Sequence, residues 1–216
     1  MEKTDPPMLG LDLDSVNASL RNASAQEVVQ WALGLGRRTI ATTSMGRNAA
    51  VMLHLVSEQD PSVPTIWVDT GYNLRDTYVV AERLIQDLDL NMHVYSPLMT
   101  SERRNALMGG IPSVDEEDQH QEFTRQVKLE PFGRALDEFK PEIWLTGLRR
   151  EETEHRKTLD VVSVDNRGIL KVAPIFYWSE DDVEAYMEQH SLPSCRHYFD
   201  PTKVFDGREC GLHTAA

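Results

Sequence analysis

The sequence predicts an α/β fold in which helices flank a mostly parallel sheet, and three observations support this prediction. Short runs rich in β-branched and aromatic residues alternate with segments whose apolar residues recur at helical spacing. The chain has 216 residues, 40% of them hydrophobic and 26% charged, which suits one domain with a full-sized core. Asp165-Asn166-Arg167-Gly168 is a hairpin signal between two apolar runs, and it adds one antiparallel pair of strands.

The predicted elements begin after a polar N-terminal stretch. Residues 1–23 are mixed in character and are expected to form a loosely held arm, after which Ser24 and Glu27 form a capping box that starts the first helix. Strands are predicted at residues 39–43, 64–69, 92–95, 143–146, 161–164 and 169–173, and further helices at residues 49–56, 74–88, 130–139 and 179–189. The stretch 96–128 has little periodicity, and beyond Pro193 periodicity is lost again, so we expect a mobile tail there.

Composition and charge argue against several classes of protein. The formal net charge of −13 repels nucleic acid, whose binding depends on neutralising phosphates. No apolar stretch approaches the roughly 18 residues that span a bilayer, so no membrane association is expected. The N-terminus lacks a basic region followed by an apolar run, so a cytoplasmic location is expected. Two cysteines cannot form a disulfide framework or a four-thiolate metal site.

Two loops at predicted strand ends are candidates for ligand binding, because open parallel sheets bind ligands at the carboxyl ends of their strands. Thr43-Ser44-Met45-Gly46 joins a strand to a helix, and its hydroxyls, its glycine and the helix N-terminal amides could hold an anion. No Gly-Lys-Ser/Thr follows, so it is not a Walker loop, and a plain β–α turn fits equally well. Asp69-Thr70-Gly71-Tyr72 could accept hydrogen bonds from a ribose or an adenine, or could form a turn that caps the next helix.

Three arginines follow the fourth main strand and form the third candidate, namely Arg149, Arg150 and Arg156. Guanidinium groups bind phosphate or sulfate through two parallel hydrogen bonds, which makes an anion site a reasonable interpretation. Three glutamates lie among these arginines in the sequence. An internal ion-pair network is therefore a serious alternative.

The two cysteines differ in their sequence surroundings. Cys210 lies in Arg208-Glu209-Cys210-Gly211-Leu212-His213, a polar segment near the C-terminus where a packed core cysteine is uncommon. A reactive thiolate favours a cationic, partly exposed setting, which Arg208 and His213 could supply, whereas the alternative is an incidental exposed thiol. Cys195 is interpreted as an incidental, dispensable thiol, although its position fifteen residues earlier leaves a resolving role open.

Six segments of the chain match a known family in the right order. They are Thr43-Ser44-Met45-Gly46 with residues 49–55, Val68-Asp69-Thr70-Gly71-Tyr72, Lys128-Leu129-Glu130-Pro131, Trp144-Leu145-Thr146-Gly147-Leu148-Arg149-Arg150-Glu151, Lys171-Val172-Ala173-Pro174-Ile175 and Glu209-Cys210-Gly211-Leu212-His213. On these residues the chain resembles the phosphoadenylyl-sulfate (PAPS) reductases of the thioredoxin-dependent type. The resemblance runs from about Gly34 to His213.

The resemblance implies a fold shared with the adenine-nucleotide alpha hydrolases of the ATP-pyrophosphatase type. In those enzymes the phosphate loop ends in Ser or Thr, which holds pyrophosphate, and Ala49 takes that place here, which fits a reductase that does not split ATP. The expected parts are an N-terminal arm and helix at residues 1–33, a nucleotide-binding α/β domain at residues 34–192 and a C-terminal tail at residues 193–216 that carries the catalytic cysteine.

The resemblance also implies roles for individual residues. Cys210 is expected to be the catalytic nucleophile. The residues expected to bind the substrate are Thr43, Ser44, Gly46, Asp69, Thr70, Gly71, Arg149, Arg150, Arg156 and His213.

The implied activity is reduction of PAPS to sulfite and adenosine 3′,5′-bisphosphate through an S-sulfocysteine, in assimilatory sulfate reduction and cysteine biosynthesis. Reduced thioredoxin or glutaredoxin would donate the electrons, and a homodimer is expected. The related branch that reduces adenylyl sulfate (APS) carries an iron–sulfur cluster on a paired Cys-Cys and a later Cys-x-x-Cys. Arg125-Gln126 and the tail lack these cysteines, so we expect no iron–sulfur cluster, no metal and no other bound cofactor. The chain also departs from the family between Pro193 and Arg208, where it is shorter.

Three other functions stay open. The chain could be an APS reductase without a cluster, or a non-catalytic adenine-nucleotide-binding protein of the same fold. It could also be an ATP-dependent adenylating enzyme, which would need the Ser or Thr that Ala49 replaces together with a magnesium site.

Overall fold

The computed structural model describes residues 10–113, 115–195 and 197–203, which form one sheet with helices on both faces. The strands are β1 (Thr39–Thr43), β2 (Thr65–Val68), β3 (Met92–Tyr95), β4 (Ile143–Leu145), β5 (Val162–Val164) and β6 (Leu170–Val172). The α-helices are α1 (Leu13–Leu20), α2 (Ala25–Gly34), α3 (Ala49–Gln59), α4 (Arg75–Asp87), α5 (Ser101–Met108), α6 (Glu117–Thr124), α7 (Glu130–Phe139) and α8 (Glu180–Gln189). None of the helices in these residues combines the length and the apolar character needed to cross a membrane.

The sheet is parallel except at one edge. Its strand order is β3-β2-β1-β4-β6-β5, and β5 runs antiparallel to β6. Asp165 closes the turn between these two strands, because its side chain accepts hydrogen bonds from the backbone N–H groups of Arg167 and Ile169, both at 2.9 Å. Gly168 completes the turn with a φ of +81°, which glycine adopts without strain. The predicted mostly parallel α/β fold and its hairpin are confirmed.

The strand order creates a crevice near the middle of the sheet. β1 is central, with β2 and β3 on one side and β4 on the other. In register, Thr43 pairs with Trp67 of β2, and Ala41 pairs with Leu145 of β4, so the three strands end at the same edge. Ligands of open α/β sheets bind at such a switch point, next to the carboxyl ends of the strands.

Apolar side chains on both faces of the sheet form the core and fix these strand ends. On one face the buried side chains of α2, α3 and α8 pack together. On the other face Ile40, Ile66 and Trp144 pack against Phe132 of α7, and the Phe132 and Trp144 ring centroids lie 5.0 Å apart. Burying a side chain of this size contributes roughly 1.5–3 kcal/mol.

The N-terminal stretch contains a helix that the sequence did not predict. α1 begins after Asp12, whose side chain caps it. Its buried Asn17 forms two hydrogen bonds with the backbone of Val162 in β5, at 2.8 and 2.9 Å. The expectation of a loose arm is therefore wrong for residues 13–20, because a polar side chain anchors a helix whose apolar periodicity is weak.

The stretch 96–128 also folds into helices. α5 begins after its cap residue Thr100, and α6 continues through a π-helical turn, Arg125–Leu129, into α7. Phe123 and Val127 are buried, but most of their neighbours in sequence are polar. Hydrophobic periodicity, on which the sequence prediction depends, is consequently weak here.

The sequence predicts a mobile segment beyond Pro193, but the described part of that segment is packed. Asp200 and Thr202 are buried. The Lys128 ammonium donates hydrogen bonds to the Asp200 carboxylate at 2.6 Å and to the Thr202 hydroxyl at 3.2 Å. Residues 197–203 therefore lie against the main domain, because a buried ion pair compensates for their lack of apolar periodicity.

Candidate functional site

A cavity of about 390 Å³ lies at the carboxyl ends of β1, β2 and β4. Part of its wall is apolar and consists of Ile66, Val68 and Phe132. The charged residues that line it are the cations Arg47, Lys128, Arg149, Arg156 and Lys203 and the carboxylates Glu152, Glu180 and Asp200. A cavity with this volume and lining suits a small ligand that has both a flat apolar part and anionic groups.

The loop after β1 forms a tight turn that leads into α3. The Thr43 hydroxyl accepts a hydrogen bond from the Met45 N–H at 3.0 Å, and Met45 takes a left-handed φ of 53° with its side chain buried. Thr43, Ser44 and Gly46 line the cavity. A side chain at Gly46 would begin 3.4 Å from the Ser44 hydroxyl oxygen and 3.5 Å from the ring of Tyr198, so Gly46 lies directly beside that ring. The N–H groups of Ala49 and Val51 at the start of α3 donate to the carbonyls of Gly46 and Asn48, so the helix favours an anion in the adjoining space mainly through its dipole.

Asp69 organises the loop after β2 and does not line the cavity. Its Oδ1 accepts hydrogen bonds from the Gly71 N–H at 3.0 Å, the Asn73 amide at 2.8 Å and the Tyr78 hydroxyl at 2.9 Å. Burial and the bond to Asp69 raise the pKa of Tyr78 to about 12, so its hydroxyl stays protonated and donates at neutral pH. Gly71 also lies outside the lining, whereas Thr70 belongs to it. Asp69 and Gly71 thus form a turn, but they do not cap the next helix, because α4 begins after Leu74 without a side-chain cap.

Arg149 and Arg156 are buried at the wall of the cavity, with 6% and 4% of their surface exposed. Arg149 forms ion pairs with Glu151 at 2.8 Å, Glu180 at 2.5 Å and Glu152 at 3.5 Å. Arg156 forms an ion pair with Glu152. The anion site and the ion-pair network that the sequence left as alternatives involve the same two arginines.

Arg150 is exposed and does not join the other two arginines. Its guanidinium carbon lies 6.0 Å from the ring centroid of Tyr177. Its preceding neighbour Arg149 has an extended backbone, with φ −120° and ψ 139°, and successive side chains of extended backbone point to opposite sides. Arg149 therefore faces the cavity and Arg150 faces away.

Glu180 is the first residue of α8 and connects that helix to the loop after β1. Its two carboxylate oxygens each lie 3.3 Å from the side-chain nitrogen of Asn48. Burial alone would raise the pKa of Glu180, but the hydrogen bond from Asn48 and the charge of Arg149 outweigh burial and lower it. Glu180 is therefore anionic at neutral pH and holds Arg149 from one side.

Lys128 and the segment that covers it, residues 197–203, were not predicted as parts of the site. Lys128 is 4% exposed and lines the cavity from the π-helical turn before α7. Burial alone would raise the pKa of its partner Asp200, but the nearby charge of Lys128 outweighs burial and lowers it. The covering segment contributes Tyr198, Phe199, Asp200, Pro201 and Lys203 to the cavity lining. The available signal was a lysine between two apolar residues, Val127 and Leu129, at the start of the matching segment Lys128-Leu129-Glu130-Pro131.

The predicted site residues divide into three groups. Those at the cavity are Thr43, Ser44, Gly46, Thr70, Arg149 and Arg156. Asp69, Gly71 and Arg150 lie nearby but outside its lining. Cys210 and His213 lie outside the described residues.

Cys195 lies apart from the cavity lining and is buried, with 1% of its surface exposed. Its Sγ lies 3.3 Å from the Thr77 hydroxyl and donates to the His197 carbonyl at 3.4 Å. In the part of the chain that the structure describes, no three His, Cys, Asp or Glu side chains come together in a way that could hold a metal ion.

Comparisons with known proteins identify relatives of this chain. The sequence profile of the phosphoadenosine phosphosulfate reductase domain matches residues 38–201. The chain is 39% identical over 199 residues to the phosphoadenosine 5′-phosphosulfate reductase of Photobacterium profundum. The aligned region covers 89% of this chain and 76% of that protein. It is 36% identical over 188 residues to the protein of the same name from a Synechococcus strain, and the aligned region covers 87% of this chain and 81% of that protein.

Solved structures show the same fold. The crystal structure of PAPS reductase from Candida auris in a phosphate complex superposes with a TM-score of 0.73 at 28% identity, over 84% of this chain and 87% of that one. The NMN synthetase of Francisella tularensis superposes with a TM-score of 0.52 at 12% identity, over 78% and 70% of the two chains, which shows a likeness of fold alone. The expected adenine-nucleotide alpha hydrolase-like fold is confirmed.

Proposed function

Because the chain belongs to the phosphoadenosine phosphosulfate reductase family, we propose that it reduces PAPS to sulfite and adenosine 3′,5′-bisphosphate. The observation that carries the proposal is the pair of buried arginines, Arg149 and Arg156, at the wall of a cavity inside the matched region. A nearby anion stabilises a buried guanidinium, and glutamates occupy that place in the structure. The sulfate and phosphate groups of PAPS are anions of suitable shape to bind the same two arginines.

The lining of the cavity supports an orientation for the nucleotide. The apolar wall formed by Ile66, Val68 and Phe132 suits the adenine ring. The sulfonyl and phosphate groups would then face the two arginines and the N-terminus of α3. Fixed positive groups at this point would offset the charge that develops on the leaving phosphate during transfer.

The proposed chemistry consists of two displacements at sulfur. The thiolate of Cys210 attacks the sulfur of the sulfonyl group, the bond from that sulfur to the phosphate oxygen breaks, and adenosine 3′,5′-bisphosphate leaves with the bonding electrons. A thiolate of reduced thioredoxin or glutaredoxin then attacks the Cys210 sulfur, and sulfite leaves with the electrons of the bond that joined the two sulfur atoms. The second thiol of the donor releases Cys210 as a thiolate and completes the donor's disulfide.

The position of Cys210 in the chain is compatible with this role. Lys203 lines the cavity, and Cys210 follows it by seven residues. Seven residues of extended chain reach at most about 25 Å, which is more than the width of a cavity of this volume. His213, three residues further on, would approach the substrate together with Cys210.

The setting of the reaction is part of the same proposal. The enzyme would use thioredoxin or glutaredoxin as its electron donor, act as a homodimer in the cytoplasm and supply sulfite for sulfate assimilation and cysteine biosynthesis. No bound metal, iron–sulfur cluster or organic cofactor takes part in the proposed steps.

The test is to incubate the purified protein with reduced thioredoxin and either PAPS or APS and to measure sulfite. We expect sulfite from PAPS. Sulfite from APS alone would identify an APS reductase, and sulfite from neither nucleotide would contradict the proposal in favour of a non-catalytic nucleotide-binding protein. Pyrophosphate released from ATP would instead indicate an adenylating enzyme.

A further inference from the structure

Glu152 lies between the two arginines of the cavity. Its carboxylate forms an ion pair with Arg156 and a longer one, at 3.5 Å, with Arg149. Both arginines are buried, and all three side chains line the cavity. Two guanidinium groups that share a desolvated wall repel each other, so an anion between them stabilises the empty site.

We propose that Glu152 is a placeholder for the anionic group of the ligand: it pairs with Arg149 and Arg156 in the empty site, and the ligand must displace it to bind. The chemistry that it imitates is that of a phosphate or sulfate group. The proposal rests on the proposed function for the identity of the nucleotide, but the competition itself involves only the two arginines and an anion. Glu152 then determines how tightly the site holds its ligand.

The other carboxylates near the arginines are less suited to leave. Glu180 is held by Asn48 and lies in the first turn of α8, where the helix dipole favours a negative charge. Asp200 is held by Lys128. Glu151 contacts Arg149 but does not line the cavity.

Glu152 has room to move. It ends a single 3₁₀ turn, Arg150–Glu152, and its side chain is 36% exposed. The pairs that the structure gives it among the described residues are those with the two arginines. Rotation of its side chain would therefore transfer the carboxylate to water, where it is well solvated. It would open the Glu152–Arg156 pair to the ligand and remove one of the three carboxylates that contact Arg149.

Replacing Glu152 by the isosteric glutamine should consequently have two opposite effects. The empty protein should become less stable, because two buried arginines lose a counter-charge. The affinity for an anion should rise about tenfold, because in most molecules of the wild type the Glu152 carboxylate occupies the anion position and the ligand must compete with it. If Glu152 only held the two arginine side chains in position, its replacement would instead lower both the stability of the protein and its affinity for the anion.

The experiment measures binding of inorganic phosphate and of adenosine 3′,5′-bisphosphate by calorimetry, together with thermal unfolding without ligand. The variant is Glu152→Gln, and the matched control is Glu154→Gln. Glu154 belongs to the same loop and its replacement removes the same charge, but it pairs with Lys157, is 88% exposed and does not line the cavity. Glu152→Asp, which keeps the charge on a shorter side chain, replaces the glutamine variant if that variant does not fold.

Tighter phosphate binding by Glu152→Gln than by both the wild type and Glu154→Gln, with a lower unfolding temperature of the empty protein, is the expected result. The shorter aspartate should give a smaller gain in affinity. Equal or weaker binding by the Glu152 variants, or no detectable binding by any of these proteins, would overturn the proposal. Sulfite release from PAPS is measured separately, so an absence of turnover with the affinity gain intact would count against the proposed function and not against the placeholder.

Discussion

At the scale of single residues, the two cysteines have separate expected roles. Cys195 is buried, and a buried free cysteine behaves mainly as a small apolar side chain. Its sulfur contacts Thr77 and the backbone of His197, neither of which lines the cavity. Cys210 follows the segment that covers the cavity. The chemistry should therefore depend on Cys210 and not on Cys195.

Cys210→Ser is expected to abolish sulfite release and to retain nucleotide binding, because it removes the nucleophile and leaves the arginines in place. Cys195→Ala is the matched control and should keep turnover. Both variants are incubated with PAPS without thioredoxin, after which intact mass and free sulfite are measured. A sulfonate adduct on Cys195→Ala, with little free sulfite from it or from wild type, is the expected outcome. One equivalent of sulfite and a disulfide in wild type alone would show that Cys195 resolves the intermediate.

Arg149→Ala and Arg156→Ala should each weaken nucleotide binding. Losing one charge-assisted contact costs roughly 1.5–3 kcal/mol, which corresponds to about a tenfold to hundredfold loss of affinity. Equilibrium titration with adenosine 3′,5′-bisphosphate checks this, and Arg150→Ala is the control because Arg150 is exposed and outside the cavity lining. If affinity holds and only thermal stability falls, the arginines serve the ion-pair network alone.

At the scale of elements, the segment 197–203 depends on one buried ion pair. Lys128 and Asp200 each have less than a tenth of their surface exposed. Breaking a buried pair by removing one partner is costly because the other charge stays buried without compensation. The segment in turn places the ring of Tyr198 against Gly46 in the loop after β1.

Asp200→Asn should lower the free energy of unfolding by about 3–5 kcal/mol and should also weaken nucleotide binding, since the segment forms part of the cavity wall. Urea unfolding and nucleotide titration measure the two effects. Glu154→Gln, which breaks an exposed ion pair with Lys157, should change neither appreciably. Unchanged unfolding of Asp200→Asn would mean that the pair does not hold the segment.

Helix ends that are encoded by local sequence could be predicted, and helices attached by distant contacts could not. The capping box at Ser24 starts α2 as expected, and α8 starts after Ser179 as expected, where the structure adds a capping box with Asp182. Both boxes involve residues only three positions apart. α1 has a local signal as well, because Asp12 accepts a hydrogen bond from the Ser15 N–H, but it has no capping box. Its attachment through Asn17 to Val162, 145 positions away, could not be predicted from neighbouring residues.

The same distinction applies to the candidate site. The loop after β1 and the arginines after β4 were predictable because parallel strands end at one edge of the sheet. The pairing of Lys128 with Asp200 joins residues 72 positions apart, and no periodicity marks either of them. The orientation of Arg150 away from the cavity depends on backbone angles that residue type does not determine.

At the scale of the whole molecule, many carboxylates have lowered pKa values. In the two capping boxes, hydrogen bonds from Ser24 and Ser179 lower the pKa of Glu27 and Asp182. Hydrogen bonds from Arg125 and Gln126 lower the pKa of Glu122 to about 2. The other carboxylates with lowered pKa values are Asp12, Asp160, Glu180 and Asp200.

A carboxylate with a lowered pKa in the folded state stabilises the fold above its unfolded pKa, and this stabilisation is lost as the pH falls through the folded pKa. We therefore expect the free energy of unfolding to fall as the pH drops below about 4, the ordinary pKa of an aspartate such as Asp200. Exposed groups contribute little because solvent screens them, so the buried Asp200 should dominate. Urea unfolding at a series of pH values tests this, and Asp200→Asn should show a shallower decline. A flat profile down to pH 3 would contradict it.

α1 also closes one edge of the sheet to other molecules. The outer strand of a sheet offers unpaired N–H and C=O groups to any strand that approaches it, which is the first step of aggregation. At β5 the side chain of Asn17 takes both groups of Val162, so a short polar residue does the pairing that a neighbouring strand would otherwise do. A chain that lost α1 would expose this edge, and we expect it to associate through β5 into oligomers that the intact chain does not form.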